Sequence, residues 1–222
     1  MLTLKTYDKK FDIFIEDFFK ILETEKANIL ISTTNYVCDE STIEGTKANG
    51  WISQDDSGQM EFAIAVGKDY KIWGPTMVHE SCHVDQYIDI RNGADIPDNS
   101  VAESAAMWRW MDGNNVKYSD DKVKQFIKNA RDMELDNEIR TIEKIKKYNL
   151  DIDIEDYARR ANAYILFYTY IAQNRCWYVP GKEPYVNDKI LKKMSSNMGE
   201  GVEWDMNIPK RLNNLFKGCC EE

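Results

Sequence analysis

The stretch Thr76-Met-Val-His-Glu-Ser-Cys-His-Val-Asp-Gln-Tyr87 contains both histidines of the 222-residue chain. His79 and His83 are four residues apart, and Glu80 follows the first of them, which spells HExxH. On a helix, residues i and i+4 lie one turn apart on the same face, so both imidazoles can bind one metal ion. Glu80 projects from a neighbouring position, from which its carboxylate can take a proton from a metal-activated water. The stretch predicts a zinc site (Zn²⁺) on a helix, with His79 and His83 as ligands and Glu80 as general base.

Apart from Glu80, the residues between and directly beside the two histidines are uncharged, which allows this helix to be buried. A chance HExxH on an ordinary helix is the alternative interpretation. The lack of any other histidine and of charges in the core of the motif favours the zinc site. The uncharged residues are Met77, Val78, Ser81, Cys82 and Val84.

Composition limits the classes of function. Hydrophobic residues make up 43% and aromatic residues 12% of the chain, which is typical of a globular fold. The net charge of −9 argues against a nucleic-acid partner, because phosphate backbones attract basic proteins. No segment approaches the roughly 20 apolar residues that span a bilayer. The N-terminus lacks the pattern of a signal peptide, so we expect a cytoplasmic protein without a membrane partner.

The cysteines are odd in number and scattered, which predicts reduced thiols rather than a disulfide framework. The adjacent pair Cys219 and Cys220 can bind a metal, but a frayed terminus without a role is the favoured interpretation. The five cysteines are Cys38, Cys82, Cys176, Cys219 and Cys220.

Periodicity predicts an α+β fold that is mostly helical, with a small N-terminal β-sheet. We expect one domain over residues 1–222. Its sections are a helix with the small sheet (1–75), a helical metal-site core (76–175) and a loop-rich C-terminal segment (176–222). The predicted strands are Asn28–Val37 and a hairpin with strands near Trp51–Gln54 and Met60–Val66 around a turn at Asp55–Gly58. The predicted helices are Tyr7–Glu25, the HExxH helix from Pro75 to about Asn92, Val101–Met111, Ser119–Tyr148 and Asp153–Ala172.

A third zinc ligand has to be a carboxylate or a cysteine, because no histidine remains. Glu103 is one candidate, but Ser100-Val-Ala-Glu103 also reads as a capping box at a helix start. Glu134 falls in the middle of the apolar stripe of its predicted helix, and Glu138 falls towards the edge. An ionised carboxylate directed into a core is unfavourable unless it is paired or binds a metal. Glu134 is therefore favoured as the third ligand, with Glu138 accepting a hydrogen bond from a ligand imidazole. The alternatives are an exchange of these two roles, an ion pair of Glu134 with a buried Arg or Lys, and a rotated helix.

Three sequence blocks together resemble phage-encoded zinc metallopeptidases of the zincin, gluzincin-like type. They are His79-Glu-Ser-Cys-His-Val-Asp-Gln86, Glu134-Leu-Asp-Asn-Glu-Ile-Arg140 and Tyr157-Ala-Arg-Arg-Ala-Asn-Ala-Tyr164. The resemblance extends from about Phe11 to Tyr178. It implies a zincin-like fold, zinc-dependent hydrolysis of a peptide or protein substrate, and a location in the host cytoplasm.

The gluzincin resemblance bears on both ligand candidates. Glu103 follows His83 at the short gluzincin spacing, but Met107 stands where that family has an acid four residues after the ligand. Glu134 followed by Glu138 reproduces the family's arrangement.

In zincins the strand before the active-site helix often lines the substrate cleft, which makes Phe62–Val66 a candidate. The sequence is equally compatible with two arrangements of this strand. It can lie at a free edge, where a peptide substrate adds to it by backbone hydrogen bonds, or it can be a covered central strand. Oxyanion donors stay unassigned among Tyr157, Tyr164, Tyr168 and Arg160. Asp85 and Asp89 are expected to be solvated.

Two other functions are compatible with the sequence. One is a phage virion or assembly protein with a structural or vestigial zinc site. The other is a binding module without a metal. The sequence carries no prediction of oligomeric state.

Overall fold

The computed structural model describes residues 4–39, 46–55, 57–97 and 100–221, and the chain forms two compact units. Unit 1 comprises Met1–Ala94 and Arg140–Ile152, and unit 2 comprises Asp95–Ile139 and Asp153–Glu222. The α+β prediction is confirmed, while the single-domain prediction stays a prediction. The elements are α1 (Lys9–Thr24), β1 (Asn28–Ser32), β2 (Val37–Asp39), β3 (Thr46–Ala48), β4 (Gly50–Gln54), β5 (Met60–Ala65), α2 (Tyr70–Arg91), α3 (Val101–Met111), α4 (Asp120–Tyr148), α5 (Ile154–Asn174), a 3-10 turn (Pro184–Val186), α6 (Asp188–Leu191) and α7 (Lys210–Cys220).

Helix α1 buries its apolar face within unit 1. It begins after Asp8, whose side chain accepts hydrogen bonds from two backbone amides of the first turn. Its apolar face is buried as the periodicity predicts, and the rings of Phe18 and Phe62 meet edge to face with centroids 5.1 Å apart. Phe14 makes a similar contact with Tyr148 at 5.3 Å. The buried residues of α1 are Phe11, Phe14, Ile15, Phe18, Phe19 and Leu22.

Strand β5 is the middle strand of a three-stranded sheet with the order β1-β5-β4. It pairs parallel with β1 and antiparallel with β4. The free-edge interpretation of Phe62–Val66 is therefore wrong, because a strand lies on each side of β5. The predicted β4–β5 hairpin is confirmed, and Asp55 accepts hydrogen bonds from the amides of Ser57 and Gln59 in its turn. Asp56 of this turn lies outside the described residues.

The predicted strand Asn28–Val37 is divided in the structure. β1 ends at Ser32, and β2 begins at Val37 in a separate two-stranded antiparallel ladder with β3. The residues between the two strands form bends.

Helix α2 begins at Tyr70 rather than at Pro75, so the predicted start is wrong. Proline disfavours a helix interior because it has no N–H and its ring crowds the preceding turn. Here the extra turn is capped by Asp69 and packed against α1. Phe11 lies 5.7 Å from Trp73 between ring centroids, and a Cβ on Gly74 would come within 2.8 Å of the Phe11 ring. Tertiary packing therefore outweighs the local preference of Pro75. The predicted end near Asn92 is confirmed.

Unit 2 has a large hydrophobic core, to which α5 contributes along most of its length. The described residues contain no helix that is long and apolar enough to cross a membrane. Large buried side chains of this core are Trp110, Phe126, Ile127, Leu166, Phe167, Tyr170 and Phe216.

Residues Lys210–Cys220 of unit 2 form α7, within the segment that was predicted to be rich in loops. Leu212, Phe216 and Cys219 are spaced three to four residues apart and are buried. The interpretation of Cys219-Cys220 as a frayed terminus is wrong, because Cys219 is fully buried.

Asn162 fixes the segment that follows α6. Its amide group donates to the carbonyls of Ser195 (3.0 Å) and Asn197 (2.9 Å) and accepts from the amide of Gly199 (2.9 Å). The side chain is fully buried, so removal leaves three backbone groups without their partner. We expect Asn162→Ala to lower the free energy of unfolding by about 2–4 kcal/mol in a denaturant titration. Asn174→Ala, at an exposed asparagine of the same helix, is the control and should change it by less than about 0.5 kcal/mol. Equal effects of the two variants would contradict this role.

Candidate metal centre

His79, Glu80 and His83 come together on α2 as the HExxH spacing predicts. Their candidate ligand atoms all lie within 4.8 Å of one another. The two imidazole rings are nearly perpendicular, at 85°, with centroids 4.9 Å apart. Glu80 is 8% exposed and His83 7% exposed, while His79 is half-buried. The group offers two nitrogen donors and one carboxylate in a mostly buried setting, which suits a metal ion such as zinc.

Gln86 orients His83. The Nδ1 atom of His83 lies 2.8 Å from Oε1 of Gln86, and Gln86 is fully buried. An amide oxygen only accepts, so this contact selects the tautomer with the proton on Nδ1. In that tautomer Nε2 carries the lone pair that binds a metal. Gln86 was not among the residues predicted from the sequence. The sequence signal that could have identified it is an amide side chain one helical turn after His83.

Lys144 holds the backbone of α2 inside the motif. Its Nζ donates to the carbonyl oxygen (3.0 Å) and the hydroxyl oxygen (2.9 Å) of Ser81, the residue after Glu80. It also forms an ion pair with Asp85 at 2.8 Å, and the Lys144 side chain is 16% exposed. A bond to a backbone carbonyl in the turn between the histidines restricts movement of that turn.

A second ion pair joins the same two helices. Arg140 on α4 pairs with Asp89 on α2 at 2.6 Å. Asp85 and Asp89 are therefore ion-paired, and their side chains remain 31% and 43% exposed, so the expectation of solvated rather than catalytic acids is not contradicted. Both acids lie four residues apart on one face of α2, and Lys144 and Arg140 lie four apart on one face of α4.

Cys82, inside the motif, is not a member of the group formed by His79, Glu80 and His83. Its side chain is fully buried, and burial raises the pKa of the thiol to about 11, although Lys144 and a hydrogen bond with Thr141 oppose that shift.

Glu134 and Glu138 lie on the part of α4 that belongs to unit 2. Glu138 is 5% exposed and Glu134 is half-buried, the reverse of the order expected from the helical stripe. Tyr157 donates to Oε2 of Glu138 at 2.5 Å. Burial, followed by the charge of Glu134, raises the pKa of Tyr164 and Tyr168, so the carboxylate of Glu134 lies near these two phenols. The roles predicted for them, Glu134 as the third ligand and Glu138 as the hydrogen-bond acceptor of a ligand imidazole, stay predictions.

Glu103 has the capping role that the sequence predicts. Its Oε2 accepts from the amide of Ser100 at 3.0 Å, and its own amide donates to Oγ of Ser100 at 3.3 Å. Both bonds of a capping box are present.

The candidate oxyanion donors all lie in unit 2. The hydroxyls of Tyr164 and Tyr168 are 3.0 Å apart and hydrogen-bonded. Arg160 donates to Asp156 at 2.6 Å and to the carbonyl of Tyr185 at 3.1 Å. Tyr157 donates to Glu138. The oxyanion role stays unassigned.

Comparison with known proteins identified no relative of this chain. A scan against models of protein families gave no match. Searches of curated proteins and of solved structures also gave no match.

Proposed function

We propose that this chain is a zinc-dependent peptidase of the zincin type. His79 and His83 hold the zinc ion, and Glu80 is the general base. The observation that carries the proposal is the His79–Glu80–His83 group, whose candidate ligand atoms lie within 4.8 Å of one another on one helix. Two imidazoles and an adjacent carboxylate are the donor set and the base that metal-assisted hydrolysis of a peptide bond requires.

When bound, zinc supplies a Lewis acid and lowers the pKa of a water molecule. Glu80 accepts the proton of that water and delivers it to the nitrogen of the leaving amine. Gln86 keeps His83 in the tautomer that presents Nε2. Lys144 limits movement of Ser81 next to the base. These contacts support the geometry that proton transfer needs, because a general base must lie within hydrogen-bonding reach of the proton.

Strand β4 is the part of unit 1 that we assign to substrate. Within the described residues it pairs on one side only, with β5. An extended peptide can add to such an edge through backbone hydrogen bonds. Strand β4 also lies against α2, since a Cβ on Gly50 would come within 3.2 Å of Thr76, one turn before His79. This assignment replaces the one to Phe62–Val66.

The experiment that tests the proposal is hydrolysis of a peptide library by the full chain under three conditions. The purified protein, the protein stripped with a chelator, and the stripped protein with zinc restored are compared by mass spectrometry. We expect cleavage in the first and third samples and none in the second. Bound zinc without cleavage of any peptide would overturn the peptidase proposal and leave a structural zinc site.

A further inference from the structure

The thiols of Cys176 and Cys220 meet in unit 2 although they are 44 residues apart. Their Sγ atoms lie 2.6 Å apart, and both cysteines are free. Cys176 follows the end of α5, and Cys220 is the last residue of α7. Both side chains are half-buried, so a small molecule in solution can reach them.

The neighbouring Cys219 is placed differently. It is fully buried, and its thiol faces the carbonyl of Leu215 at 3.5 Å within its own helix. The two adjacent cysteines therefore differ in both access and partner, and only Cys220 is directed at Cys176.

The surroundings distinguish the two paired thiols chemically. Hydrogen bonds from Cys220 and from Tyr170 lower the pKa of the Cys176 thiol against the opposing effect of burial. The pKa of Cys220 is raised, chiefly by the same hydrogen bond. Tyr170 hydrogen-bonds the thiol of Cys176, and this contact favours the thiolate, which is the nucleophile in thiol chemistry; Cys176 is therefore assigned as the attacking group and Cys220 as the group that reacts second.

We propose that Cys176 and Cys220 form a thiol–disulfide exchange site that takes low-molecular-weight disulfides of the glutathione class. The Cys176 thiolate attacks one sulfur of the disulfide, the S–S bond breaks, and one glutathione thiolate leaves. Cys220 then loses its proton and attacks the Cys176 sulfur, and the second glutathione leaves. The two protein thiols are oxidised by two electrons to one disulfide. The small disulfide is reduced to two thiols, which take up the two protons.

The product ties the end of α7 to the chain that follows α5. Helix α7 is held in unit 2 by aromatic packing, with Phe216 against Phe167 at 5.5 Å and against Tyr170 at 5.6 Å between ring centroids. A covalent link across this long loop restricts the unfolded chain and therefore stabilises α7 on the core. The site responds to redox conditions and is separate in its residues from the HExxH group.

The test equilibrates the reduced full chain in buffers with a range of reduced and oxidised glutathione, followed by alkylation and peptide mapping. We expect a disulfide-linked peptide pair joining Cys176 to Cys220, together with loss of alkylation at both. The thermal midpoint should rise on the order of 10 °C relative to the reduced protein.

Two variants separate the roles of the thiols. Cys220→Ser should stop at the mixed disulfide of glutathione with Cys176, because the second thiol is missing. Cys219→Ala, at the adjacent residue, should still form the bridge. A linked peptide containing Cys219 in place of Cys220, or full alkylation of Cys176 and Cys220 in oxidised glutathione, would overturn the proposal. Peptide mapping of the unaltered chain tests whether Cys176 and Cys220 form the bridge, even where a variant fails to fold.

Discussion

Glu80→Gln is expected to retain zinc and to lose peptide hydrolysis by about 10²–10⁴-fold in kcat. The amide has nearly the shape of the carboxylate but cannot accept the proton of the attacking water. His79 and His83 are unchanged, so the metal is kept. The measurement combines zinc analysis with hydrolysis of the best peptide found in the library.

Glu61→Gln is the matched control, because Glu61 is an exposed glutamate on β5 of the same unit. It undergoes the same chemical change away from the HExxH group and should leave both zinc content and kcat unaltered. Hydrolysis at the unaltered rate by Glu80→Gln would remove Glu80 from the mechanism.

The second large effect concerns the third ligand. Glu134→Ala is expected to weaken zinc binding more than about 100-fold, because the loss of a ligand exceeds the loss of a group that only supports one. Glu138→Ala should weaken it by about 10–100-fold. The measurement is a competition titration with a chromogenic zinc chelator.

Glu103→Ala is the matched control for this series. It removes the capping box and should lower the free energy of unfolding by about 1 kcal/mol while zinc affinity is unaltered. If Glu103→Ala empties the site and Glu134→Ala does not, the short spacing from His83 identifies the ligand instead. A larger effect for Glu138→Ala than for Glu134→Ala would mean that these two residues exchange roles.

The elements that were predicted well from the sequence are those specified by residues close together in the chain. The α1 stripe, the Asp55 turn and the Ser100–Glu103 box each involve residues only a few positions apart. Spacing alone also brings His79, Glu80 and His83 together, because a single helix turn determines their arrangement.

The elements that sequence did not predict depend on contacts between distant segments. The start of α2 depends on Phe11, more than sixty residues earlier in the chain, which packs on Trp73 and Gly74. The central position of β5 follows from its pairing with β1, which no local pattern specifies.

The same limit applies to the residues around the candidate site. Lys144 is one of many lysines in the sequence, and only the packing of α4 on α2 shows that it contacts Ser81. Cys176 and Cys220 are likewise paired by the fold and not by their spacing. Gln86 differs, because it lies one turn after His83 and was accessible to reasoning from helical periodicity.

The most direct test of the central claim is the zinc content of the purified chain and of two single variants, measured by elemental analysis. We predict about one zinc per chain in the unaltered protein. His79→Ala and His83→Ala should each lose the metal, because the two imidazoles supply most of the binding. Zinc content that is undiminished in both variants would contradict the account and place the metal elsewhere in the molecule.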